Sequence, residues 1–256
     1  MAASMQESRY GFECIPNNLA QWETSEMKLK FLQWNLDQHG RVKRFRVRGK
    51  FDPADETSFL RAFFESPEVR AELPFPSSMP PSIESMSFRK LKTSVLSMAF
   101  FEKLEDNPQI VSKSGYIRKC YDDVYNDCTV SDCLRDMVVN PDSEHASLFS
   151  SAEQDEAVFQ IFKRLVIGGA MSQPDDNLEP YLSMTKQVYK ALVSVRKEAD
   201  SKALQVYSPV YIFTDDDSSN QPQFFPTSSP FNACFLAVDP KKHAVLCWYA
   251  PFVPFW

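Results

Sequence analysis

Glycine is scarce in this chain. Six glycines in 256 residues leave little material for the loops that wrap phosphates, so a Gly-rich nucleotide-binding architecture is not expected. Histidine is scarcer, at three. His39 adjoins Gly40 at a helix end, His145 falls in an acidic loop and His243 lies in a Lys-rich turn, so each reads as a surface residue. Neither G-x-S-x-G nor H-E-x-x-H occurs, which removes the common hydrolase signatures. No apolar run approaches the roughly 18 to 20 residues that span a bilayer. "MAASMQESRYGFEC" has no signal-peptide core. Residue 2 is Ala, not the Gly of myristoylation, and "FVPFW" is no prenylation box. A soluble intracellular chain without a membrane partner is the expectation, its six cysteines present as reduced thiols. Positive charge is also in deficit. The net charge is −6 and the pI about 5.2, a bulk field that opposes nucleic acid.

What is present is core. Hydrophobic residues make up 43% and aromatics 13%, with 21 Phe, enough for one large folded domain over 1–256 without metal or disulfide staples. No internal repeat is visible. "YGFECIP" reads as a strand, and residues 18–38 as a helix with Leu19, Trp22, Met27, Leu29, Leu32 and Leu36 at near-helical spacing. "RVKRFRVRGKF" is a strand. Asp52 before Pro53 starts a helix faced by Phe59, Phe63 and Phe64, and Pro67 ends or restarts it. Residues 73–86 hold four prolines and four serines, the composition of a loop, linker or mobile segment. "SFRKLKTSVLSMAFFEKLED" reads as a strand and a short helix, and the acidic run that follows as helical after Ser131.

From Ser151 to Lys197 the pattern is clearest. Ser151 with Gln154 suggests a capping box, Val158, Ile161, Phe162 and Leu165 share a face, and Gly168 falls where a C-terminal cap belongs. Asp176 with Glu179 suggests a second box. Leu178, Tyr181, Leu182, Thr185, Val188, Tyr189, Leu192 and Val195 make a stripe, while Ser183, Lys186, Lys190, Ser194 and Lys197 cover the other face. Beyond Lys202 the signal is β: "ALQVYSPVYIF", "ACFLAVD" and "HAVLCWYA". The fold class is therefore α+β, a central helical hairpin packed on a C-terminal, mainly antiparallel sheet. The tail at 251–256 is flexible, or docks, or serves as a ligand.

The chemical constellations compete with plain structural readings. A P-loop needs GxxxxGK[ST], but Gly168 and Gly169 follow a helix and no Gly-Lys pair comes after them. A joint between helices fits them better. Cys120, Cys128, Cys133 and His145 have ligand chemistry, but not the two-to-four-residue spacing of zinc knuckles. Buried thiols fit them better. Asp215–Asp217 lack the calcium-loop pattern and read as a solvated loop. On "RVKRFRVRGK", Arg44, Arg46, Arg48 and Lys50 fall on one strand face, and Phe45 and Val47 on the other. Either acids within the chain answer these charges, or an acidic protein surface docks there, or, against the overall negative charge, nucleic acid does.

One resemblance goes further. "FKRLVIGGAMSQPDDNLEPYLSMTKQVYKALVSVRK" resembles the hallmark region of the cilia- and flagella-associated protein 300 family: Phe162–Leu165, Gly168–Ala170 with Gln173, Pro180–Leu182 and Tyr189–Lys197. "QWNLDQHGRVK", "AFFESPEV", "LSMAFFEKL" and "SGYIRKC" occur in the family's order, so the similarity covers about residues 30–250. It implies a protein of cytoplasm and motile cilium or flagellum. The implied role is non-enzymatic, in preassembly and transport of outer and inner axonemal dynein arms. The implied partners are axonemal dynein subunits, other assembly factors and the intraflagellar transport machinery. No cofactor and no catalytic residue come with it. The expected contact surface comprises Arg44, Arg46, Arg48, Lys50, Gly168, Gly169, Gln173, Lys186 and Lys190. The rival readings are a structural axonemal component and an enzyme with a site of scattered residues.

Overall fold

The computed structural model describes residues 9–17, 19–20, 22–83, 87–126, 128–170, 175–197, 203–214 and 224–254. In chain order they form β1 (Gly11–Ile15), α1 (Ser25–Gln33), β2 (Arg41–Arg48), α2 (Glu56–Glu65), α3 (Pro67–Glu72), β3 (Arg89–Leu91), α4 (Glu102–Glu105), β4 (Lys119–Tyr125), β5 (Cys128–Asp132), α5 (Cys133–Val139), α6 (Ser151–Gln154), α7 (Ala157–Ile167), α8 (Leu178–Leu192), β6 (Val195–Lys197), β7 (Leu204–Val206), β8 (Val210–Phe213), β9 (Ala233–Asp239) and β10 (Ala244–Ala250). The fold is α+β. A six-stranded sheet of order β1-β2-β10-β9-β8-β3 is antiparallel throughout.

Every residue of β9 and β10 is buried, because both faces of the sheet are covered. That explains their near-continuous apolar sequence. On one face Leu246, Trp248, Phe235 and Ala237 meet α1, α5, α7 and α8. On the other, Phe45, Val47, Val245 and Tyr249 meet the Phe-rich faces of α2 and α3. Phe12, Phe59, Phe63 and Phe64 interlock there edge to face, with neighbouring centroids 5.1–5.6 Å apart. Because β2 pairs with β10, residues from both ends of the chain share this sheet.

Residues 73–83 are not a spacer. Leu73, Met79 and Ile83 are buried in the α2–α3 cluster, and Arg70 donates to the Met79 and Pro80 carbonyls. Likewise the tail is docked as far as Val253. Phe252 packs edge-on against Phe231 at 5.0 Å, its N–H donates to Asn232 Oδ1 at 2.7 Å, and the Val253 N–H donates to the Gly169 carbonyl at 2.8 Å. Residues 255 and 256 lie outside the described residues, as do Asp215–Asp217.

Several elements differ from the sequence pattern. The capping box is Ser150 with Glu153, one residue earlier than expected, and it serves only the short α6. The helix breaks there because Glu156 turns inward to take the Ser94 N–H and hydroxyl, while Lys92 bonds to Asp155 and Ala157 through its backbone. Asn177, not Asp176, caps α8, since Lys119 draws the Asp176 carboxylate aside at 2.5 Å. Val195 is no part of the α8 stripe: the helix stops at Leu192 and Val195 sits on β6, exposed. "ALQVYSPVYIF" divides at Ser208–Pro209 into β7, which pairs with β6, and β8 of the main sheet. The β4–β5 hairpin, turning through Asn126 at φ 47°, has no counterpart in the expectations. Along α1 the buried side chains are Met27 and Phe31, followed by Trp34. Leu29 and Leu32 face solvent instead, lining an open apolar groove of about 720 Å3 with Trp22 and Trp248. His145 is buried, not on the surface, and its Nε2 lies 3.3 Å from Glu144 Oε1.

The α7–α8 connection carries the tightest packing. Gly168 caps α7 at φ 70°, a conformation that favours glycine. A Cβ on Gly169 would stand 1.8 Å from the Asn35 carbonyl oxygen, so α1's end and this turn meet backbone to backbone, joined by Gly169 N–H to Trp34 O at 2.8 Å. Arg164, fully buried, donates from Nε to the Ala250 carbonyl at 3.1 Å, from Nη2 to Pro251 at 2.8 Å and from Nη1 to Gly168. Burial pulls its pKa down to about 9.

Three outcomes follow. Gly169→Ala should destabilise by about 1–3 kcal/mol through forced backbone displacement; an unchanged urea midpoint would contradict the close approach. Arg164→Met should cost at least about 2 kcal/mol, since three interior carbonyls lose their donors, while exposed Lys190→Met should stay within about 0.5 kcal/mol. Glu153 is held down to about 2, from an ordinary 4.5, by Lys103 first and then by the Ser150 N–H and hydroxyl. Its contribution is present above pH 4.5 and is lost as pH falls toward 2. Urea midpoints measured across that window should fall more steeply for the wild type than for Glu153→Gln.

Candidate functional site

β2 alternates as its sequence requires. Phe45 and Val47 point into the Phe-rich core, so Arg44, Arg46 and Arg48 take the opposite face. Helices cover that face as far as Val42, and Arg44 stands half-buried at their edge. The three arginines do not share one environment. Arg46 faces Glu13 across the β1–β2 ladder and pairs with it at 3.2 Å. Arg48 is exposed opposite Gly11, and Lys50 follows the strand's end, also exposed. Arg44 lies between Ile15 and Leu246, and no ion pair answers it among the described residues.

Lys186 and Lys190 are exposed on α8, as helical spacing requires. Lys190 and Arg44 line one pocket of about 250 Å3, whose wall includes Ser194, Asp239 and Lys242. Lys242 is partly neutralised, at 3.3 Å from Asp239. The Asp239 carboxyl is mostly buried, and its pKa is lowered overall although burial opposes this; hydrogen bonds from Ser194, Lys242 and Tyr207 outweigh it. The pocket thus brings together a strand near the chain's beginning, a helix from its centre and a turn near its end. Lys242 was not among the expected contact residues; its place depends on the β9–β10 turn reaching α8, which no local pattern states. Gly168 and Gly169 are buried, so they act as a joint and offer no contact surface. Gln173 lies outside the described residues.

The remaining chemistry is sparse. Lys163 has its pKa lowered by burial first and by Arg89 second, and it lines a polar cavity of about 380 Å3 with Arg89, Asp155, Gln160 and Asn232. No histidine or cysteine lines that cavity. Asp155 is engaged by Arg89 and Lys92. Cys120 is raised to about 11 by burial, then by Cys133 and nearby acids, and Cys133 is raised chiefly by burial. Both are poor thiolates and poor ligands in that state. Cys234 and Cys247 lie Sγ to Sγ at 3.6 Å in the sheet's core. Among the described residues no group of three His, Cys, Asp or Glu could hold a metal ion, and no helix is long and apolar enough to cross a membrane.

The chain is similar over residues 9–250 to the family model described as cilia- and flagella-associated protein 300. A Chlamydomonas reinhardtii protein of that name is 39% identical over 168 residues, 65% of each chain, so the chain spans 65% of that relative's length. A Paramecium tetraurelia protein of the same name is 28% identical over 214 residues, 83% of this chain and 82% of the other. No solved structure matches. With nearly its whole length matched by the family model, the chain belongs to the cilia- and flagella-associated protein 300 family.

Proposed function

We propose that this protein is a non-enzymatic adaptor for the cytoplasmic preassembly and transport of outer and inner axonemal dynein arms. In this reading it binds axonemal dynein subunits, other assembly factors and the intraflagellar transport machinery. Membership of a family associated with cilia and flagella supports the setting. The observation that carries the contact reading is electrostatic. A chain of net charge −6 leaves Arg44, Lys186 and Lys190 without an ion-pair partner among its described residues, on one side of the sheet. Uncompensated cations on an acidic protein favour a locally acidic partner and speed its capture. A second reading, an enzyme, rests on Lys163 in its polar cavity, which Ser151 and Thr214 also line; the one carboxylate there, Asp155, is already engaged by Arg89 and Lys92.

The test is capture from ciliating cells. Arg44→Glu/Arg46→Glu/Arg48→Glu should reduce recovery of dynein chains in the cytoplasmic fraction by about tenfold, with the loss largest at low salt. Equal recovery by the variant would remove the basic strand from the interface. If the protein instead stays with axonemes after detergent and salt extraction, it is a structural component.

A further inference from the structure

Three of the large hydrophobic side chains left exposed gather in one place. Leu96, Val195 and Leu204 are 48%, 50% and 49% exposed. They come from the loop after β3, from β6 and from β7, and all three line a groove of about 480 Å3. Its floor includes Val158 and Tyr189, both buried. The Tyr189 hydroxyl is spent on the Val95 carbonyl at 3.0 Å. Clustered exposed apolar side chains mark contact sites more often than scattered ones do.

The groove's edge is cationic. Lys186 and Lys190 stand on its α8 side. Lys190 and Val193 also line the 250 Å3 pocket that holds Arg44 and Lys242. The two depressions are therefore neighbours, sharing one helix end. An apolar trough runs into a basic pocket, and Arg44, Lys186 and Lys190 have no ion pair among the described residues.

We propose that this composite groove is the docking site for an acidic, amphipathic segment of a partner protein. Its apolar side chains fill the trough between Leu96, Tyr189, Val195 and Leu204. Its carboxylates meet Lys186, Lys190 and Arg44. The charge pattern selects this occupant. A basic segment would face three cations that no acid answers among the described residues. This deepens the adaptor reading by naming the surface and the chemistry of its ligand, and it rests on that reading.

The test uses the full chain and fluorescence anisotropy. The probes are a synthetic acidic Leu/Glu amphipathic peptide, its Leu/Lys counterpart, a scrambled acidic control and tiled peptides from axonemal dynein chains. The acidic amphipath should bind about tenfold or more tightly than the basic and scrambled peptides. Lys186→Glu/Lys190→Glu and, separately, Leu204→Asp should each weaken it about tenfold, while Lys28→Glu, remote on α1, leaves it unchanged. All of these positions are exposed, so folding is retained and is checked by the urea midpoint. Equal binding of acidic and basic peptides, or binding indifferent to both groove variants, overturns the groove. Acidic model peptides that bind in the groove while no dynein peptide does would keep the groove and remove dynein as its source. Dynein peptides that bind regardless of the groove variants would keep the adaptor role and remove this site.

Discussion

The fold hangs on a charge with no counter-charge. Arg164 is buried with no ion pair among the described residues, and its guanidinium is satisfied by the carbonyls of Gly168, Ala250 and Pro251. A buried cation is tolerated only when its donors are spent on well-placed acceptors. Here those acceptors are the end of α7 and the point where β10 leaves the sheet. One side chain therefore ties the helical hairpin to the central strand. Around it, Gly169 takes α1's end on one side through Trp34 and the C-terminal segment on the other through Val253. The glycine pair is a crossing point for three parts of the chain.

A polar belt extends this crossing. Asp175 accepts from Lys30 at 2.9 Å and from the Trp34 indole at 2.6 Å. Trp34 stacks on Tyr181 at 4.8 Å, and Arg135 donates to the Tyr181 hydroxyl at 2.9 Å. Burial raises the Tyr181 phenol, so it stays protonated and able to donate. These groups are spent on one another, which suits scaffolding better than catalysis. Cations with no ion pair among the described residues, Arg44, Lys186 and Lys190, lie on β2 and α8.

Periodicity made the α7–α8 hairpin and the β9–β10 pair legible, because each is dictated by residues close in sequence. Phe45 and Val47 inward with Arg44 and Arg46 outward also followed from alternation alone. What was not legible depended on distant partners. Glu156 breaks a helix because Ser94 waits for its carboxylate. His145 and Leu29 exchanged their expected places for tertiary reasons, the one entering the core and the other left at a groove. Of the site, the individual cations could be picked from sequence. That Arg44 and Lys190 share a pocket could not, since it requires the sheet to be closed first.

That closure has a consequence for how the protein is made. β2 lies between β1 and β10, and β10 is synthesised after every other strand of the sheet. Until it arrives, the β1–β2 pair and the β8–β9 pair are separate pieces with open edges and uncovered phenylalanines. Such edges invite wrong pairing between nascent chains. A chain cut short before Ala244 would lack the strand that joins β2 to β9, and would present two open half-sheets rather than a smaller version of the fold.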